Sequence, residues 1–178
     1  MTKPKIKIKI KDSKRRGEWA EMRFMAKAAE NGLEVTKPFG ETAQYDFVVE
    51  HGGKFARVQV KSTLLRCGWQ GYQCTVRAGR GPYARNAFDY IAVYVIPEDT
   101  WYIVPAKAIG GKWAVKLYPN QPNSKYEPYR EAWHLLRGES LKSGRVRSIE
   151  ACTEEWTISP FSVSGSHDEE SHVLLGGI

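Results

Sequence analysis

The pair Gly52-Gly53 lies inside the run from Gln44 to Lys61, between two stretches of alternating and β-branched residues. A two-residue hairpin loop needs positive φ at both central positions, which glycine adopts without strain, so the pair predicts an antiparallel hairpin. Counting outward from the turn, His51 faces Lys54, Phe47 faces Val58 and Asp46 faces Gln59, with opposed Cβ atoms roughly 5 Å apart. Side chains alternate along a strand, so Lys61 shares the side of Gln59, while Tyr45, Phe47, Val49, Ala56, Val58 and Val60 make the opposite, apolar face. The hairpin therefore has one packing face and one polar face. At 178 residues the chain is long enough for one domain with a real core.

The elements around the hairpin follow from spacing. Gly17 to Asn31 is helical in pattern, with Trp19, Met22, Phe24, Met25 and Ala28 or Ala29 apolar, Asp12 or Ser13 available as cap, and Asn31-Gly32 as the stop. Leu33 to Lys37 predicts a short strand ended by Pro38, and Gln70 to Arg77 another, followed by a loop at Ala78-Gly79-Arg80-Gly81-Pro82. Phe88 to Ile96 is a near-continuous apolar strand, turned by Pro97-Glu98-Asp99-Thr100 into an antiparallel partner from Trp101 to Val104. Glu127 to Arg137, carrying Trp133, Leu135 and Leu136, predicts a second helix. The order is thus a helix, several strands and a second helix.

Charge narrows the class of partner. All 27 Lys and Arg lie at or before Arg147, so the chain to Ile149 carries +13, and from Glu150 onward six acids and no Lys or Arg give −6. A basic body favours a polyanion, because neutralising phosphates releases their counterions. Lys3 to Arg16 alone holds eight basic residues, and Lys5 to Lys11 alternates Lys with Ile, as either an edge strand or a basic arm would. No apolar run approaches the roughly 20 residues of a membrane span, and the amino terminus has no signal-peptide core, so a cytoplasmic, nucleoid-associated protein without membrane contact is expected. Cys67, Cys74 and Cys152 are odd in number and have no CxxC spacing, which fits free thiols and neither a disulfide framework nor a zinc site.

Asp46, Gln59 and Lys61 share one side of the hairpin, and Glu18 and Glu21, three apart, share a face of the first helix. Together these supply what metal-assisted phosphodiester hydrolysis requires. A hard cation such as Mg²⁺ takes a few oxygen ligands and keeps several waters. Asp46 is the principal candidate ligand, Gln59 and the Val60 carbonyl offer neutral oxygens, and Glu21 or Glu18 can hold a metal-bound water or a second ion. Lys61 is the candidate to orient or deprotonate the attacking water and to offset charge in the transition state.

Gly17-Glu18-Trp19-Ala20-Glu21, Tyr45-Asp46-Phe47 and Val58-Gln59-Val60-Lys61-Ser62, in that order, resemble the PD-(D/E)xK nuclease superfamily. More closely they resemble the small endonucleases associated with group I introns and their archaeal Holliday junction resolvase relatives. Phe88 to Tyr94 and Trp101 to Pro105 are similar to that group's later core strands, which extends the likeness from Arg16 to Ile109. The resemblance implies a restriction-endonuclease-like αβββαβ core, a mixed central sheet flanked by helices. It also implies catalytic roles for Asp46, Gln59, Lys61 and Glu21, with Glu18 in reserve, and Mg²⁺, or Mn²⁺ in its place, as cofactor. The chain departs from the pattern in having Tyr45 where proline is usual and Gln59 where an acid is usual.

The expected organisation is a basic arm or edge strand over 1–15, a nuclease domain over 16–158 and an acidic tail without ordered structure over 159–178. Arg66, Arg77, Arg80 and Arg85, interleaved with Trp69, Tyr72 and Tyr83, are the expected DNA surface, since guanidinium groups grip phosphates while rings stack. The reading is a metal-dependent endonuclease of homing or DNA-processing type acting on double-stranded DNA. A non-catalytic nucleic-acid-binding module on the same scaffold and a junction resolvase are the alternatives. Cutting both strands needs two sites or sequential nicks, so a homodimer or tetramer is expected.

Overall fold

The structure is a computed structural model that describes residues 6–40, 42–78, 81–84 and 86–141. The acidic tail, and the expected nuclease domain beyond Leu141, lie outside the described residues. Residues 6–12 run without regular structure, Ile6 and Ile8 pressing on the core. Helix α1 spans Ser13–Glu30. Asp12 caps it by accepting from the Arg15 amide at 2.8 Å, and Ala20, Phe24 and Ala28, four apart, form its buried stripe.

The central sheet is built from β1 (Glu34–Thr36), β2 (Phe47–His51) and β3 (Lys54–Thr63), joined after a crossover by β8 (Tyr90–Val95) and β9 (Thr100–Pro105), in the order β1-β2-β3-β8-β9. The β2–β3 hairpin has the expected register: His51 opposes Lys54 and Phe47 opposes Val58, and Gly52 and Gly53 have φ of 57° and 77°. β3 and β8 run parallel, and every other pairing in this sheet is antiparallel. The architecture is α/β with a mixed five-stranded sheet and helices against it.

Both faces of that sheet are covered, which is why β8 and β9 read as continuous apolar runs. One face carries α1: Phe24 stacks on Phe47 at 5.4 Å between ring centres and meets Trp101 and Trp133 edge-on or tilted. The other carries a second sheet drawn largely from the crossover. Strands β4 (Arg66–Cys67) and β5 (Gly71–Thr75) are followed by a small ladder of β6 (Arg77–Ala78) and β7 (Gly81–Pro82). After β9 come the one-turn helix α2 (Ala106–Ile109) and β10 (Ala114–Leu117), which pairs with β5. Tyr72, Cys74, Val115 and Leu117 pack from this sheet onto Ile91, Val93, Tyr102 and Val104. Among the described residues, the crossover uses this β-structure where the resemblance implied a helix.

Two local expectations are corrected. Tyr45 does not share the face of Phe47; β2 begins at Phe47, alternation stops there, and Tyr45 packs against the second core cluster. The segment Glu127 to Arg137 is not one helix but two 3-10 turns, Glu127–Tyr129 and Trp133–Arg137. Glu131 breaks it, with φ 49°: its amide donates to the Trp101 carbonyl, and its carboxylate accepts from the Trp101 amide and the Trp133 indole, each at 2.8 Å. The outer edge of β9 takes those bonds in place of a helical ladder. No described helix is long and apolar enough to cross a membrane. Cys67 and Cys74 are free thiols.

Candidate active site

Where β2 begins, β3 runs on alone, and its outer edge is left with an unpaired amide at Val60. Asp46 fills that role with its side chain. The Asp46 amide donates to the Val58 carbonyl at 2.9 Å, closing the hairpin ladder, while Asp46 Oδ2 accepts from the Val60 amide at 2.7 Å. Gln59 Nε2 donates to the same carboxylate oxygen at 2.5 Å and lies 3.3 Å from the Val60 carbonyl, with the Gln59 residue 6% exposed. The expected opposition of Asp46 and Gln59 is thus a direct hydrogen bond.

A cavity of about 300 Å³ opens at this point, with Glu21, Asp46, Gln59, Val60 and Lys61 in its wall. Glu21 comes from α1, one turn after Gly17, and its carboxylate pairs with Lys37 at 3.1 Å. Glu18 is exposed and outside the wall. Lys61 stands in the same wall, its Nζ 5.7 Å from the centre of the Tyr83 ring. Arg16 also lines the cavity, from the first turn of α1. Arg16 and Lys37 were not singled out by the sequence reading. Arg16 is legible in retrospect, one residue before the Gly17–Glu21 pair, whereas nothing local marks Lys37.

Electrostatics set Asp46 apart. Burial pushes its carboxyl above the ordinary carboxylate range and the charge of Glu21 adds to this, against the Val60 amide, Lys61 and Gln59. Two carboxylates facing one cavity, one of them resisting ionisation, form a site that a cation relieves. Among the described residues no group of three His, Cys, Asp or Glu side chains could hold a metal ion, and in this cavity Gln59 stands where a third acid would. The donor set still fits a hard cation: two carboxylates, a backbone carbonyl and an amide whose oxygen can be turned inward. As described, the Gln59 amide nitrogen bonds to Asp46 and Val60, two of the oxygens such an ion would need.

Of the expected DNA-contacting residues, Arg66, Trp69 and Arg77 are outside the wall of this cavity. Arg66 sits over Tyr72 at 5.7 Å and Arg77 over Trp113 at 5.7 Å, and Trp69 is 89% exposed. Tyr72 is a core residue, its hydroxyl donating to Glu98 at 2.6 Å. Tyr83 is half-buried against Phe88. Arg80 and Arg85 lie outside the described residues.

A family model described as PD-(D/E)XK endonuclease matches residues 11–136, from just before α1 to the last 3-10 turn. No curated protein matches the sequence. Among solved structures, the bacterial homing endonuclease I-Ssp6803I is 29% identical, with a TM-score of 0.63 over 71% of this chain and 94% of its own. MepB, 18% identical over 65% of this chain and 93% of its own, has a TM-score of 0.36, too low to bear on the site. With its family matched across most of its length and its sheet shared with a homing endonuclease, the chain belongs to the PD-(D/E)XK endonucleases.

Proposed function

We propose that this endonuclease is divalent-metal-dependent, hydrolyses phosphodiester bonds in double-stranded DNA and is of the homing type. The observation that carries this reading is the convergence of Glu21, Asp46, Gln59 and Lys61 on one cavity. Asp46, Glu21, the Val60 carbonyl and the Gln59 amide oxygen would hold Mg²⁺ or Mn²⁺, which when bound supplies Lewis-acid stabilisation of the phosphoryl oxygen. Lys61 orients the attacking water and takes up its proton as the new P–O bond forms and the P–O bond to the leaving alcohol breaks. Its ammonium form offsets the charge that builds on the phosphorus oxygens. Arg16, in the same wall, gives the entering strand a phosphate contact. A homodimer or tetramer would bring two such sites to the two strands.

The test uses plasmid and four-way-junction DNA, with Mg²⁺, with Mn²⁺ and with EDTA. The wild type is expected to nick and linearise plasmid only with the metal, and Lys61→Ala and Asp46→Ala to cut slower by about 10²–10⁴-fold. A wild type that cuts neither substrate, or variants that cut equally well, would sink the proposal. Salt-dependent binding without cleavage would instead support a non-catalytic binding module, the reading that Gln59 in place of an acid favours. Junction cutting without plasmid cutting would favour a resolvase.

A further inference from the structure

Beyond the arginines singled out by sequence, the second sheet carries a group of lysines. Two cavities flank it, of about 520 Å³ and 370 Å³, and Lys112 lines both. Lys107 lies in the wall of the larger, and Lys116 and Lys125 in the wall of the smaller; neither wall contains a carboxylate. Among the described residues none of these four lysines has an ion-pair partner. Most arginines and lysines with ordered partners, such as Arg23, Arg57 and Arg130, are paired to acids.

Lys112 and Lys125 are also close to each other. The proximity of Lys125 holds the Lys112 ammonium below the ordinary lysine range: as a neutral amine Lys112 accepts from the Lys125 ammonium, and as a cation it is repelled by that charge. Lys125 lies 5.2 Å from the centre of the Tyr126 ring, and the Ser124 and Tyr126 hydroxyls beneath have no hydrogen-bond partner. Such a juxtaposition, cations without acids above hydroxyls without partners, is completed by an anion. The larger cavity also points toward the candidate active site, because Tyr83 forms part of its wall and the same ring lies against Lys61.

We propose that Lys112 and Lys125, reached past Tyr83 and Lys107, bind backbone phosphates of the DNA flanking the bond to be cut. The inference rests on the reading of the chain as a DNA endonuclease. These lysines do no chemistry; they position the duplex, with a contribution that is electrostatic and blind to sequence.

The experiment measures binding of the full chain to a fluorescein-labelled random-sequence duplex by anisotropy, in EDTA so that nothing is cut, across a salt series. Each phosphate contact contributes about 0.9 to the slope of log K against log salt. Replacing both lysines (K112Q/K125Q, and K112A/K125A as a second version) is expected to lower that slope by about 2 and to weaken binding about tenfold or more at low salt. The equal-charge control K27A/K54A, on α1 and the hairpin, removes two positive charges from other surfaces and is expected to keep the wild-type slope. If the Lys112–Lys125 variants match the control while the wild type binds, the inference falls and the nuclease reading stands. If the wild type shows no salt-dependent duplex binding, both fall.

Discussion

Gln59 is the residue on which the behaviour of the site turns. Its amide donates to Asp46 and to the Val60 carbonyl, two of the oxygens a cation would use. Gln59→Glu removes those donors and sets a second carboxylate against Asp46. In EDTA at neutral pH this variant is expected to lose about 1–3 kcal/mol of stability by urea denaturation. With Mg²⁺ present the order should reverse in affinity, the variant binding the ion more tightly in a calorimetric titration. Asp46 makes the complementary case. Its folded pKa is raised, so over the window from the ordinary carboxylate value up to the raised one the folded chain holds a proton the unfolded chain has released. Its contribution to stability therefore falls as pH rises through that window. Asp46→Asn should melt higher than the wild type in EDTA at neutral pH, and the difference should vanish as pH drops below the ordinary aspartate value. Mg²⁺ should raise the melting temperature of the wild type but not of this variant. A variant that melts no higher in EDTA would show that burial does not burden Asp46.

At the scale of elements, α1 is the piece that brings Glu21 to the strands, and Phe24 anchors it. Phe24 is fully buried, in ring contact with Phe47, Trp101 and Trp133. Phe24→Ala is expected to cost about 3–5 kcal/mol in a urea titration, from lost burial and the cavity left behind. Cleavage at a temperature where the variant is still folded should fall less than in Lys61→Ala, since Phe24 is not in the wall of the cavity. The helix was legible because its cap, its stripe and its stop are local in sequence. The stretch from Glu127 was not. Its apolar spacing reads as helical, yet Glu131 spends its backbone and side chain on Trp101, thirty residues earlier. Periodicity carries no trace of such a partner.

For the whole molecule the charge is divided along the chain, +13 up to residue 149 and −6 from Glu150 onward. Converting the six acids from Glu150 onward to their amides takes the net charge from +7 to +13. DNA affinity should then rise at low salt and converge with the wild type as salt screens the difference, read from the same anisotropy series. An affinity unchanged at every salt concentration would mean that those acids do not oppose DNA. The sequence by itself determined the hairpin, its register and the meeting of Asp46 with Gln59, because glycine φ and strand alternation act over a few residues. It also supplied the basic balance and the motif order by which the family is known. Tertiary structure decided the rest: that Lys37 pairs with Glu21 at the cavity, that Tyr45 turns to the opposite core, and that Lys112 and Lys125 stand together without an acid. Each depends on which distant segments pack side by side, and that is settled by burying both faces of one sheet, not by any local pattern.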